Sequence, residues 1–165
     1  MAENEIQLPP PLPKPPNGMY PARVDDRGRL KLPTGFQEYF SKLPDTEKSL
    51  YVTSLDRCKG YIYTNSQWEA MREHLENFQD DPEAGERVLF TAMDLGSDSA
   101  MDNQGRILLS PELRRELSIE NQPVRIYSGT DSIEILPQGK YEELRQVSGE
   151  KAAADLRIIR MSRRK

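Results

Sequence analysis

The stretch VDDRGRLKLP, residues 24–33, decides the fold because the chain contains a second version of it, MDNQGRILLSP, at residues 101–111. Both versions read Asp-x-x-Gly-Arg, followed by alternating apolar residues and a proline. The two motifs are 77 residues apart (102 − 25). A repeated motif at one fixed offset is the signature of an internal structural repeat. The sequence therefore predicts two copies of one unit.

The elements predicted after each motif also match. Apolar pairs four residues apart indicate a short helix in each copy: Phe36 and Phe40, then Leu113 and Leu117. Alternating apolar runs around turn residues then predict a hairpin in SLYVTSLDRCKGYIYT and another in QPVRIYSGTDSIEIL. Each hairpin is followed by a predicted helix with an aromatic residue near its start, Trp68 or Tyr141. The unit is thus hairpin, short helix, hairpin, helix.

Two details of the first copy differ from the second. The offset falls from 77 at the motif to 73 at the aromatic residue (141 − 68), so the first copy holds about four additional residues. We expect them in the polar stretch LPDTEK. In the helix after the hairpin SLYVTSLDRCKGYIYT, Ser66 and Glu69 have the spacing of a capping box, which predicts the helix start.

A unit of roughly 45 residues is too small to bury a good core alone, whereas two such units packed together can do so. We therefore expect an α+β protein in which both repeats form one β-barrel with peripheral helices. The expected organisation is a disordered proline-rich tail at 1–18, repeat 1 at 19–66, a helix and linker at 67–94, repeat 2 at 95–138, and a C-terminal helix with a basic tail at 139–165.

The charge of the whole chain and the charge around the first motif point in opposite directions. The formal net charge is −4 and the pI about 5.2, which argues against a nucleic-acid binder. The first motif and its flank nevertheless carry a cluster of bases, Arg23, Arg27, Arg29 and Lys31. Local fields decide which partners a surface attracts, so this cluster is the candidate binding site.

The first motif is predicted to form a two-stranded ribbon with Gly28 at its turn, because glycine accepts the positive φ that a tight turn needs. Side chains alternate along a strand, so Val24 and Leu30 face the core while Arg23, Arg29 and Lys31 face outward. Arg27 lies at the tip. Such a ribbon fits the DNA major groove, where arginine can bond guanine in a bidentate way. Double-stranded DNA is therefore the expected partner.

The second motif keeps the apolar positions and the turn glycine Gly105 but loses most of the bases. Arg23 corresponds to Ala100, Arg27 to Gln104 and Lys31 to Leu108; only Arg29 keeps a counterpart, Arg106. We infer that the first hairpin is the nucleic-acid surface and that the second mainly completes the barrel, with Leu108 preferring a protein contact over solvent. One alternative stays open: both Asp-x-x-x-Arg motifs, Asp25 with Arg29 and Asp102 with Arg106, can be purely structural pairs.

Nothing in the sequence indicates an enzyme. The one histidine, His74, lies in an acidic predicted helix and is expected to be solvated. No metal-ligand spacing and no glycine-rich phosphate loop is present, so we expect no metal, no cofactor and no small-molecule substrate. No apolar run reaches the roughly 20 residues that a membrane helix needs. The single Cys58 cannot form an internal disulfide, which fits a reducing compartment.

Over about residues 19–145, the chain resembles the MraZ family of bacterial transcriptional regulators. The resemblance rests on VDDRGRLKLP, on MDNQGRILLSPELR and on the aromatic residue near the start of each later helix. The resemblance implies two tandem SpoVT/AbrB-type repeats that interleave as a swapped-hairpin barrel. It also implies a cytoplasmic, nucleoid-associated homo-oligomeric ring, which presents its first-repeat hairpins to repeated DNA boxes upstream of its own division and cell-wall operon. The chain departs from the family at Gln37, where a basic residue is common; Arg114 keeps that residue in the second copy.

Two functions from different classes remain open at this level. The clustered bases at residues 23–31 favour a sequence-specific DNA-binding regulator. The acidic total charge and the weakened second copy favour a ring-forming structural or protein-interaction module that has lost specific DNA binding. Salt-dependent DNA binding distinguishes the two, because only contacts with phosphate release counterions.

Overall fold

The computed structural model of the protein describes residues 11–163. The first ten residues of the predicted disordered tail and the last two of the predicted basic tail lie outside the described residues. Residues 11–19 contain no helix or strand, and Pro16 packs on Gly35.

Each repeat contributes four strands and a short helix. The first repeat comprises β1 (Tyr20–Val24), β2 (Arg29–Lys31), α1 (Thr34–Ser41), a 3₁₀ turn (Asp45–Glu47), β3 (Leu50–Thr53) and β4 (Gly60–Tyr63). Two helices follow, α2 (Asn65–Glu76) and α3 (Pro82–Leu95). The second repeat comprises β5 (Ser97–Ser99), β6 (Arg106–Leu108), α4 (Pro111–Leu117), β7 (Pro123–Ser128) and β8 (Ile133–Pro137), before α5 (Gln138–Ser162).

The eight strands form one antiparallel sheet in the order β5-β3-β4-β8-β7-β1-β2-β6, a nearly closed barrel. The repeats interleave, because β1 pairs with β7 of the second repeat while β5 pairs with β3 of the first. The predicted α+β barrel of two swapped repeats is confirmed. The barrel stays open in one place: β5 and β6 are not paired as a ladder, and the Ser99 hydroxyl bridges the gap by donating to the Leu108 carbonyl at 3.0 Å.

A pseudo-twofold axis runs through the β2–β6 ladder. Arg29 lies opposite Leu108, and Arg106 lies opposite Lys31. Arg29 is equivalent to Arg106 and Lys31 to Leu108, so the two pairings are related by the axis. Two reciprocal backbone hydrogen bonds follow the same symmetry. The Leu32 amide donates to the Gly105 carbonyl at 2.9 Å, and the Leu109 amide donates to the Gly28 carbonyl at 2.9 Å. Each motif is therefore held by the turn of the other.

The barrel interior is one apolar core drawn from both repeats. It contains Val24, Leu30, Phe36 and Phe40 from the first repeat and Ile107, Leu113, Leu117 and Val124 from the second. Burying one such side chain is worth about 1.5–3 kcal/mol, and each repeat covers apolar side chains of the other. The alternation predicted from the sequence is also confirmed, since Val24, Leu30 and Leu32 of the first motif and Ile107 and Leu109 of the second are buried.

The registers locate the additional residues of the first copy. Ala22 of the first repeat pairs with Val124, and the equivalent residue of the second repeat, Ser99, pairs with Leu50. Equivalent residues are therefore 77 positions apart in the first strand of each repeat (99 − 22) but 74 apart in the third (124 − 50). In the hairpins Val52 pairs with Ile62, and Ile126 with Ile135. Equivalent residues are therefore 74 positions apart in the third strand (126 − 52) and 73 apart in the fourth (135 − 62). Three residues precede β3, and the fourth lies in the β3–β4 loop rather than in LPDTEK.

The helices differ from expectation in two places. The predicted capping box at Ser66 and Glu69 is wrong, because the box consists of Thr64 and Gln67: the Gln67 amide donates to the Thr64 hydroxyl, and the Thr64 amide donates to the Gln67 side chain. Ser66 instead donates from its amide and its hydroxyl to Glu47. The stretch expected to be one helix and a linker contains a second helix, α3, with Asp81 as its N-cap.

Candidate nucleic-acid interface

The turn of the first motif is built around the Asp25 carboxylate. Oδ1 accepts from the backbone amides of Arg27 at 2.9 Å and Arg29 at 2.8 Å, while Oδ2 accepts from the Arg29 Nε at 2.9 Å. These bonds, the Arg29 amide first, hold the pKa of Asp25 below its usual value of 3.8. The aspartate thus fixes the backbone of the turn and the side chain of Arg29 together.

The second motif has the same geometry. Asp102 accepts from the amides of Gln104 and Arg106, each at 2.9 Å, and from the Arg106 Nε at 2.9 Å. The same bonds, led by the Arg106 amide, lower the pKa of Asp102. In each Asp-x-x-x-Arg motif the aspartate and the arginine thus form an ion pair that belongs to the structure of the turn.

Both turn glycines have the positive φ that the sequence predicts, +81° for Gly28 and +73° for Gly105. A side chain from the opposite repeat covers each glycine. Arg114 of α4 lies against Gly28, and Gln37 of α1 lies against Gly105. The Arg114 side chain is only 14% exposed. The sequence shows that Gln37 and Arg114 are equivalent positions, because they are 77 residues apart (114 − 37). It does not show that each side chain covers the turn glycine of the other repeat.

A row of three bases crosses the outer face of the barrel on adjacent strands. Arg23 on β1 lies opposite Lys31 on β2, which lies opposite Arg106 on β6. Adjacent like charges are unfavourable unless each finds a partner. Arg23 donates to the Asn121 carbonyl at 2.8 Å, Lys31 to the Gln104 carbonyl, and Arg106 to Asp102. The basic face is therefore shared: the second copy contributes Arg106 to it.

Arg27 differs from these bases. It is exposed at the tip of the first turn, and within residues 11–163 its guanidinium has no hydrogen bond or ion pair. Its backbone amide is bound by Asp25, so the residue is fixed at its root and free at its end. In the second turn the same position is Gln104. Of the bases predicted for the site, Arg27 is the one whose full donor set stays available to a ligand.

The loss of Arg23 in the second copy leaves a cleft. Where Arg23 reaches Asn121 in the first repeat, Ala100 lines a cleft of about 490 Å³ beside Met101 and Lys48. On the same outer face Leu108 is 57% exposed, where the first copy carries Lys31. The second copy thus replaces charge with open space and an apolar side chain. This supports the inference that Leu108 prefers a protein contact.

Other chemistry predicted from the sequence can be placed briefly. His74 lies exposed on α2 with its ring 5.8 Å from that of Phe78. Within residues 11–163, no three His, Cys, Asp or Glu side chains are grouped to hold a metal ion. In the same range no helix combines the length and apolarity that crossing a membrane requires.

The fold and this face together define a tandem-repeat, swapped-hairpin barrel of the SpoVT/AbrB type. No family model matches the chain. Its relatives include proteins named transcriptional regulator MraZ. The one from Coxiella burnetii is 30% identical over 128 residues, 77% of this chain and 76% of the relative. That from Acidobacterium capsulatum is 30% identical over 118 residues, 72% and 79% of the two chains. The chain belongs to the MraZ family.

Proposed function

We propose that the protein is a sequence-specific DNA-binding transcriptional regulator that uses the first-repeat turn to read base edges. Its relatives are named as transcriptional regulators rather than enzymes. The observation that carries the proposal is the contrast at the tip: Arg27 has a fixed backbone and a free guanidinium, while Gln104 takes its place in the second turn. Arginine in the major groove can bond guanine in a bidentate way.

The other bases of the face have supporting roles in this proposal. Arg23, Lys31 and Arg106 form a row across the outer face of the barrel, where their charge attracts the phosphate backbone. Arg29 is held by Asp25 and is 29% exposed, so it stiffens the turn and presents its remaining donors to a phosphate. Phosphate contacts set affinity and register, whereas contacts with base edges set specificity.

The assembly and the target belong to the same proposal. We infer a cytoplasmic, nucleoid-associated ring whose subunits present the first-repeat turn to repeated boxes in the promoter of its own division and cell-wall operon. A ring multiplies weak contacts when the spacing of the boxes matches that of the subunits. The exposed Leu108 and the cleft beside Ala100 supply apolar and concave surface for contacts between subunits.

The test compares Arg27→Ala with Gln104→Ala, the same change in the two turns. Binding is measured on DNA from upstream of the protein's own reading frame and on scrambled DNA, over a series of salt concentrations. Arg27→Ala is expected to weaken binding to the upstream DNA by about tenfold to hundredfold, the cost of one arginine–base contact. Gln104→Ala is expected to bind as the parent does. Equal affinity of both variants and the parent contradicts the proposed tip.

One observation favours the second candidate, a ring-forming module without specific DNA binding. Four bases of the face, including Arg29, already bond to groups within the chain. If that is the whole of their role, the parent binds upstream and scrambled DNA equally weakly. A log–log salt slope near −0.9 per phosphate contact together with a preference for the upstream DNA excludes this candidate.

A further inference from the structure

Helix α5 (Gln138–Ser162) is the least covered element of the described chain. It has 25 residues, none of them buried, and is about 38 Å long at a rise of 1.5 Å per residue. Only its start is anchored, where the Arg125 guanidinium lies 4.3 Å from the centre of the Tyr141 ring. Beyond that point it exposes a series of large apolar side chains: Leu144, Val147, Leu156, Ile158, Ile159 and Met161.

Most of these side chains form one stripe with coiled-coil spacing. We name it the α5 seam: Leu144, Val147, Lys151, Ala154, Ile158 and Met161. The steps between its members are 3, 4, 3, 4 and 3 residues, which is the alternation of a and d positions in a heptad repeat. Val147 is 55% exposed and Ile158 is 67% exposed. Leu156 lies outside the seam, on the far side of the helix.

We propose that the α5 seam pairs with the α5 seam of a second copy of this chain, with the two helices antiparallel. In that arrangement Leu144 meets Met161 of the second copy, Val147 meets Ile158, and Lys151 meets Ala154. Each layer occurs twice because the pair is symmetric, so the contact closes on itself as an isologous dimer. The proposal does not depend on DNA binding, since it uses neither turn.

The charges beside the seam select both the occupant and the direction. Glu150 and Arg157 occupy g positions, which face each other across an antiparallel pair, so each Glu150 meets an Arg157 of the second copy. In a parallel pair the g position faces the e position of the next heptad, and Glu150 would meet Asp155 of the second copy. Interhelical ion pairs at these positions set partner and orientation. The helix is complementary to itself only when reversed.

The centre of the seam follows the same logic. A parallel pair places Lys151 against Lys151, two cations at the core of a short interface. An antiparallel pair places Lys151 beside the small Ala154, where its aliphatic stem covers the alanine and its ammonium reaches Asp155 of the second copy. Long charged side chains commonly bury the stem while the charge stays at the rim. The outer layers remain wholly apolar.

The first test uses sedimentation equilibrium of the full chain over a range of concentrations. Ile158→Asp and Val147→Asp change the two members of one layer, and Leu156→Asp makes the same change outside the seam. We expect either seam variant to lower the mass of the assembly at a concentration where the parent and Leu156→Asp are paired. A parent that sediments as a monomer overturns the proposal, as does equal mass in all four proteins.

The second test reads orientation by charge reversal. Glu150→Arg places a second guanidinium against Arg157 of the second copy and is expected to weaken the antiparallel pair about tenfold. The double variant Glu150→Arg with Arg157→Glu restores opposite charges and should recover the parent's dissociation constant. In a parallel pair the single variant would instead tighten association by removing the repulsion from Asp155. Tighter association of the single variant overturns the antiparallel pairing. A double variant that does not recover the parent's dissociation constant also overturns it and assigns the seam to a different surface.

Discussion

The two turns of this barrel have the same backbone and different surfaces. Asp25 and Asp102 each bind two backbone amides and one arginine, with matching distances of 2.8–2.9 Å. At the tips, however, Arg27 is replaced by Gln104, so the ability to form bidentate contacts with guanine is present on one side alone. The comparison separates two requirements that one motif encodes. The aspartate and glycine build the turn, and the residues between them set the surface that the turn presents.

The largest expected effect tests whether the repeats share one core. Phe36 and Leu113 are equivalent (113 − 36 = 77), and both are fully buried. Phe36→Ala is expected to cost about 3–5 kcal/mol of the free energy of unfolding and Leu113→Ala about 2–5 kcal/mol. Urea unfolding should remain a single transition in both variants, because one core unfolds as a unit. Two transitions, with each variant shifting only one, would mean that the repeats fold independently.

How much of this was predictable depends on the range of the interaction. The repeat, the inward faces and the turn glycines follow from local spacing, and the structure confirms them. The swapped pairing of β1 with β7 does not, because hydrophobic alternation defines the faces of a strand but not its neighbour. For the pairing, the family resemblance was needed.

The site shows the same limit. Arg27 and Arg23 could be singled out from the sequence, but the covering of Gly28 by Arg114 is a contact between residues 86 positions apart (114 − 28). The shared use of Arg106 by the outer face also depends on which strand lies beside β2. Helix α3 was missed although its sequence carries helical signals: Asp81 and Pro82 mark its start, and Gly85, Ala92 and Leu95 lie on its buried face.

A smaller effect compares the turn glycines. Gly28→Ala and Gly105→Ala are each expected to lower the free energy of unfolding by about 1–2 kcal/mol, because alanine is strained at positive φ. The new Cβ would also collide with Arg114 in one turn and Gln37 in the other. Gly139→Ala is the control, since nothing beyond its chain neighbours and the backbone of its own helix lies within 4 Å of the added carbon. A similar loss of stability in both turn variants and none in the control supports equivalent turn backbones. A loss in one turn alone would show that the two turns are not equivalent.

The smallest expected effect is on pH dependence. The turn amides and the arginine hold the pKa of Asp25 and of Asp102 below 3.8 in the folded chain. Their stabilisation is therefore complete above about pH 4 and is lost as the pH falls through the lowered values. Asp25→Asn and Asp102→Asn should unfold at lower urea than the parent at pH 7 and converge with it at strongly acidic pH. A constant deficit at every pH would show that the carboxylate charge is not the cause.

The central claim is that the first turn, and not merely an arginine at either tip, binds DNA. The double variant Arg27→Gln with Gln104→Arg exchanges the two tips and keeps net charge and composition unchanged. Its affinity for DNA upstream of its own reading frame, measured with an unchanged oligomeric mass, is predicted to fall about tenfold to hundredfold, because the second repeat carries Ala100 where the first carries Arg23. Affinity equal to that of the parent would contradict the account.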